Sequence, residues 1–231
     1  MYSSNLSCRR TNLRDRASQM KPVEEGRLAE TAYRILLQKI LTHELPGGSV
    51  IQERKLAEAM GMSRSPMRDA FGRLEGEGLL VRLTERLLAV RVITLQDYLY
   101  SLDVRGMIEP QSAALAARVL KPEDVATLVQ QFERLTSHEG ADLDVLQWSF
   151  DDLLHETLAE KSGNPFLAKL IREMRRYTKI FERQTVPARR RPGMDDHKRI
   201  LDALATGRPE KAREAMAEHI RNVRRRALDG L

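Results

Sequence analysis

The sequence predicts a mainly α protein, with an N-terminal winged helix-turn-helix followed by an all-α helical bundle. Three observations lead there. Apolar residues recur at helical spacing through most of residues 28–231. Only Leu79–Val92 alternates as a short hairpin does. The charge is also uneven: residues 1–92 hold +5 of the net +6. A basic first part joined to a near-neutral remainder suits a nucleic-acid-binding module with a sensor or assembly domain. The expected division is a flexible basic tail over residues 1–25, a DNA-binding winged helix-turn-helix over 26–93, and a helical domain over 98–231.

A chain of 231 residues, 42% hydrophobic and 31% charged, is large enough for two globular domains. The one cysteine, Cys8, allows no intrachain disulfide and no cysteine-based zinc site. This fits a reducing cytoplasm. No apolar run is long enough to span a bilayer, and the start MYSSNLSCRR lacks the apolar core of a signal peptide. The expected location is cytoplasmic, with no membrane partner.

Residues 28–42 place Leu28, Ala32, Ile35, Leu36 and Ile40 on one helical face. Leu45-Pro46-Gly47-Gly48 ends that helix. A second helix fits Glu53–Met60, and Gly61 supplies the turn after it. The third begins within Ser63–Pro66, capped by Ser63 or Ser65, and runs to about Glu77. Its inward stripe is Met67, Ala70, Phe71 and Leu74. The face near its start carries Arg64, Ser65 and Arg68. A recognition helix needs such a face: arginines for guanine edges or phosphates, and free N–H groups for a phosphate.

The stretch LPGGSVIQERKLAEAMGMSRSPMRDAFGRLEGEGLL, from Leu45, resembles the GntR family of bacterial transcription regulators. The resemblance implies DNA contacts from Arg54, Ser63, Arg64, Ser65 and Arg68. The sequence departs from the family in two places. Gly72 sits mid-helix, at a cost of about 1 kcal/mol relative to alanine. The wing reads RLTERL over residues 82–87, without the usual glycine at its tip.

Beyond residues 94–97, read as a linker, the sequence is helical throughout. A helix from about Leu95 to Leu120 contains Pro110, which should kink it. Its stripe of Leu102, Arg105, Glu109, Ala113 and Ala116 turns an arginine and a glutamate inward. After Pro122, Val125, Leu128, Val129, Phe132 and Leu135 share a face. On a helix from Leu143 to Lys161, Trp148, Asp151, His155 and Leu158 share another. Gly163-Asn164-Pro165 stops it, with Asn164 read as a helix-end residue. A basic amphipathic helix covers residues 166–184, and a charged loop Pro187–Gly193. His197 lies on the stripe Ile200, Leu201, Leu204. His219 lies on the stripe Ala212, Ala215, Met216, Val223.

A titratable side chain on a core-facing stripe costs free energy unless it has a partner. Any one of these histidines reads as a satisfied core residue, and Asp151 with His155 as a helical ion pair. Together, Asp151, His155, His197 and His219 have the chemistry of ligands to one divalent ion. Zinc is foremost, with nickel or manganese as alternatives. Four protein ligands can close a structural site, and a larger coordination shell leaves room for a small acid.

The segments LDVRGMIEPQSAALAA, DDLLHETLAEKSGNP, DDHKRILDAL and KAREAMAEHI resemble the FCD effector domain that follows a GntR-type module in many regulators. The metal ligands of that domain fall on Asp151, His155, His197 and His219. Leu154 stands where the domain often has phenylalanine. The resemblance further implies a homodimer and a bundle with a central cavity, where Arg105 and the metal grip a small carboxylate effector. An ion pair with Glu109 is the other reading of Arg105.

The combined expectation is a homodimeric transcription regulator, in the repressor sense. It would read a two-fold symmetric operator and respond to a small organic acid at the metal. Three alternatives compete. The metal is itself the signal, or purely structural. The chain is a metal-dependent hydrolase with Glu109 as its base, which the DNA-reading module and the lack of a nucleophile–base pair oppose. Or it coats DNA without sequence preference.

Overall fold

The computed structural model describes residues 22–229 except 86, 139, 141 and 186–192, with only the backbone of 22–25 and 185. Of the expected tail over residues 1–25, residues 1–21 lie outside the described residues, as do residues 187–192 of the expected charged loop. The elements run α1 (Pro22–Leu41), α2 (Glu53–Ala59), α3 (Arg64–Gly76), β1 (Leu80–Thr84), β2 (Leu87–Val90), α4 (Leu95–Ala117), α5 (Pro122–Thr136), α6 (Leu143–Lys161), α7 (Pro165–Thr185), α8 (Met194–Ala205) and α9 (Pro209–Asp229). Two compact units result. One is α1 to Lys39 with Ser49–Arg91, the other Ile40–Gly48 with Val92 onward.

In the first unit, α1 begins at Pro22, where a proline suits the first turn. The helix therefore takes in residues 22–25, which read as tail. Its face is also rotated from the expected one. Ile35 is 37% exposed, and Tyr33 is buried in its stead. The reason lies in the tyrosine's two ends. Its ring packs beneath the Arg73 guanidinium, 3.5 Å away, and its hydroxyl donates to Glu77 Oε2 at 2.7 Å. These contacts fasten α1 to α3. The α3 stripe Met67, Ala70, Phe71 and Leu74 is buried, as the periodicity predicts. Ser63 takes the N-cap position, but its side chain makes no capping bond. Gly61 and Gly78 end their helices at φ of +61° and +72°, where glycine meets no Cβ penalty.

β1 and β2 pair antiparallel, with an irregularity between Arg82 and Thr84. Arg82 folds back from β1 onto Glu75 through bonds of 3.0 and 2.7 Å. This arginine holds the hairpin to the end of α3.

In the second unit, Thr94–Asp97 is a capping box rather than a linker. The Asp97 N–H donates to Thr94 Oγ1 at 3.1 Å, and the Thr94 N–H to Asp97 Oδ2 at 3.0 Å. The chain is thus ordered into α4 from Thr94. α4 continues as one helix through Pro110, which is buried. It packs against α6, α7 and α9, while α5 and α9 each flank α8. Trp148 does not stand on the inner face of α6. It is partly exposed and holds the Arg183 guanidinium 5.4 Å from its ring. The inner face carries Phe150, Asp151, Leu154, His155 and Leu158. Asn164 Oδ1 accepts the N–H groups of Phe166 and Leu167, so that residue caps α7.

Candidate metal centre and nucleic-acid interface

Asp151 and His155 sit one turn apart on α6, His197 on α8 and His219 on α9. The stripes that bury these helices carry the four side chains inward. One ligand-capable atom from each lies within 4.8 Å of the other three. His197 is 0% exposed, His155 and His219 each 2%, and Asp151 8%. Asp151 Oδ1 is 3.1 Å from His197 Nε2 and 3.6 Å from His155 Nε2. The imidazole centroids lie 5.0 to 6.0 Å apart.

The hydrogen-bond accounting around these rings does not close. His155 Nε2 and both ring nitrogens of His197 and His219 are buried without a hydrogen-bond partner among the described residues. Each such orphan costs about 1–3 kcal/mol. Three imidazoles and a carboxylate whose free donor atoms converge fit a divalent cation. Their protonation states suit it too. Burial, followed by the nearby Arg175, holds His155 below the ordinary imidazole range. Burial pushes His219 down to about 3, although Asp196 acts in the opposite sense. Burial would raise the Asp151 carboxyl, but Arg175 and the two nearest histidines outweigh it and hold it well below the usual range. His155 and His219 are thereby held toward the neutral form and Asp151 toward the ionised form, the states in which such groups bind a metal.

A second layer of side chains fixes this arrangement. Arg175 on α7 donates to Asp151 Oδ2 at 2.6 Å, which leaves Oδ1 toward the histidines. Glu109 on α4 receives His155 Nδ1 at 2.5 Å. Asp196 lies 3.7 Å from His219 Nδ1 and accepts from Asn222 Nδ2 at 2.7 Å and Arg226 Nη1 at 2.9 Å. Arg105 has its fork engaged. Its Nε donates to Glu109 Oε1 at 2.5 Å and its Nη1 to Thr178 Oγ1 at 3.1 Å. Of its two readings, the ion pair with Glu109 is the one formed here.

The periodicity of α6, α8 and α9 leads to Asp151, His155, His197 and His219, but Arg175, Thr178, Asp196 and Asn222 escape it. A signal for two of them exists. Arg175 and Thr178 continue the buried line of Ala168 and Ile171 along α7, so one arginine of a basic helix had to face inward.

In the first unit, Arg54 on α2 and Ser63, Arg64, Ser65 and Arg68 at the start of α3 are all exposed. Their acidic neighbours hold them loosely, Arg54 at 3.8 Å from Glu58 and Arg68 at 3.9 Å from Glu53. Exposed pairs of that length contribute little. The guanidinium groups are therefore available to an anionic partner.

The chain matches the family described as "FCD domain" over residues 100–222 and the family described as "Bacterial regulatory proteins, gntR family" over residues 28–90. It is similar to the Glc operon transcriptional activator of Escherichia coli (strain K12), 24% identical over 226 residues, covering 87% of this chain and 88% of that protein. It is also similar to the gluconate operon transcriptional repressor of Bacillus licheniformis, 27% identical over 182 residues, covering 75% of this chain and 72% of that one. Among solved structures, E. coli McbR/YncC has the same fold, with a TM-score of 0.73 at 21% identity over 88% of this chain and 98% of that chain. No helix among the described residues is long and apolar enough to cross a membrane.

Proposed function

Since the chain belongs to the GntR family of bacterial regulatory proteins, DNA-binding transcription regulators rather than enzymes, and carries an FCD domain, we propose that it is a repressor whose operator affinity follows a small organic acid bound at the Asp151–His155–His197–His219 centre. The convergence of those four buried donors carries the reading. Two copies would read a two-fold symmetric operator, each through Arg54, Ser63, Arg64, Ser65 and Arg68. The four side chains would hold a divalent ion, zinc before nickel or manganese. When bound, such an ion supplies a Lewis-acidic site for a carboxylate oxygen. The name of the B. licheniformis relative refers to gluconate, itself a small hydroxy-carboxylate, which supports the acid class.

The chain's own part is to position and to respond. Arg175 orients Asp151. Arg105 offers a fork that suits a carboxylate, and an acid reaching it exchanges with Glu109. α4 carries both Arg105 and Glu109, and only residues 91–94 separate it from β2. An acid that prefers one position of α4 would thereby bias the reading heads, provided its affinity differs between the two arrangements.

Two measurements test the proposal. Arg68→Ala should weaken binding to an operator selected from random-sequence DNA by about 1–3 kcal/mol, roughly 5- to 150-fold. Unchanged affinity in fluorescence anisotropy at physiological salt rejects the assignment of α3. Thermal shifts of zinc-loaded protein across mono-, di- and hydroxy-carboxylates should show saturable stabilisation by one acid. Arg105→Lys keeps the charge but not the fork, and should lose that response. A panel with no shift favours a second reading, to which the engaged fork of Arg105 already points: the metal is itself the signal or a structural element.

A further inference from the structure

The geometry points to Glu109 as the residue that sets which nitrogen of His155 faces the centre, and so as a positioning residue for the metal, an inference that rests on the metal reading above. Glu109 is 2% exposed and serves two groups at once. Its Oε1 receives Arg105 Nε at 2.5 Å, and its Oε2 meets His155 Nδ1 at 2.5 Å. A carboxylate beside a guanidinium is ionised and only accepts hydrogen bonds. The proton at that contact therefore belongs to His155 Nδ1. In a neutral imidazole this leaves the lone pair on Nε2, the nitrogen that is buried without a partner and lies 3.6 Å from Asp151 Oδ1.

Neither of the other two histidines has this support. Both nitrogens of His197 lack a hydrogen bond, and Asp196 stands 3.7 Å from His219 Nδ1, beyond bonding distance. Among the described residues, then, His155 alone of the three imidazoles has its tautomer set from behind. The device also binds α4 to α6, because Glu109 and His155 belong to those two helices.

Glutamine is the discriminating substitution because it can satisfy one neighbour but not both. With its oxygen on Arg105, its NH2 faces His155 Nδ1. The favoured tautomer then carries the proton on Nε2, pointing it at the centre. Long-range 1H–15N correlation spectra of metal-free, 15N-histidine-labelled protein read this directly, with His155 assigned by its loss in His155→Asn. The wild type should show Nδ1–H, and Glu109→Gln should show Nε2–H. Competition with a chromophoric chelator should find zinc held about 10- to 100-fold more weakly by Glu109→Gln.

A wild-type His155 protonated at Nε2 overturns the inference, and so does equal zinc affinity in the two proteins. A wild type that binds no zinc instead sinks the metal reading, while the tautomer pair, recorded without metal, still decides what Glu109 does to His155. If Glu109→Gln does not fold, because Arg105 is left buried without its counter-ion, Arg105→Met with Glu109→Leu removes both charges together. That double variant must show the same loss of zinc affinity, and undiminished affinity overturns the inference.

Discussion

Stripping zinc from the loaded protein with a chelator is expected to lower its melting temperature by on the order of 10 °C. The magnitude follows from mass action. A ligand that binds only the folded state, at a free concentration about 1,000 times its dissociation constant, contributes about 4 kcal/mol. In a chain of this size each kcal/mol moves the midpoint by roughly 2–4 °C. The sign follows from the buried ring nitrogens of His155, His197 and His219, which make no hydrogen bond among the described residues and so stay unsatisfied when the ion leaves. Differential scanning calorimetry with and without chelator measures the effect. His197→Ala, which removes a fully buried ligand, should abolish the sensitivity to chelator. Equal midpoints for loaded and stripped wild type would refute the metal centre.

Glu182 should make the metal-free protein less stable as pH rises from about 4.5 to about 7. Its carboxyl accepts from the Tyr98 hydroxyl at 2.8 Å, and burial raises it from 4.5 to about 7 despite that bond. Between those values the folded protein keeps a proton that the unfolded chain has released. Stability therefore falls with pH across the window and levels off above it, by on the order of 3 kcal/mol in all. His219 works the other way. With its pKa lowered to about 3, it is neutral in the fold while the unfolded chain takes up a proton below pH 6.5, so it adds stability as pH rises from about 3 to 6.5. The difference between wild type and Glu182→Gln cancels that contribution. The variant mimics the protonated carboxyl, so it should match the wild type near pH 4 and exceed it at pH 8 in denaturant unfolding. A constant difference across that range would contradict the assignment. Metal-free protein is needed because ligand histidines add their own proton linkage when metal binds.

How much of this was legible in the sequence depends on whether a feature belongs to one helix or to two. The four candidate ligands are single-helix features. Each departs from an apolar stripe in polarity but not in spacing, and spacing along one helix is what a sequence displays. The same holds for the stripe of α3. The engagement of Arg105 depends partly on a neighbour. Its bond to Glu109 is one turn away along α4, but its bond to Thr178 and Glu109's bond to His155 depend on α7 and α6 being adjacent. Nothing in a periodicity says which helices will be neighbours. Asp196 was hidden differently. An acid in the first turn of a helix reads as a dipole partner, and its three contacts on α9 belong to the tertiary structure. Ile35 and Tyr33 show a third limit. These two residues flank the stripe of Ala32, Leu36 and Ile40 on opposite sides, and the hydroxyl of Tyr33 could reach Glu77 only once α3 lay beside it.

The placement of the four candidate ligands on α6, α8 and α9 also makes the centre a reporter of synthesis through α9. As a nascent chain lengthens, Asp151 and His155 emerge first and His197 later, but the donor set closes only when His219 arrives on α9. A growing chain halted before that point holds an incomplete site and the weaker affinity that goes with fewer ligands. Once complete, the site joins segments far apart in sequence at a single point. A bound ion would then act as a removable cross-link, and it would restrain the unfolded chain most across the long spans it bridges.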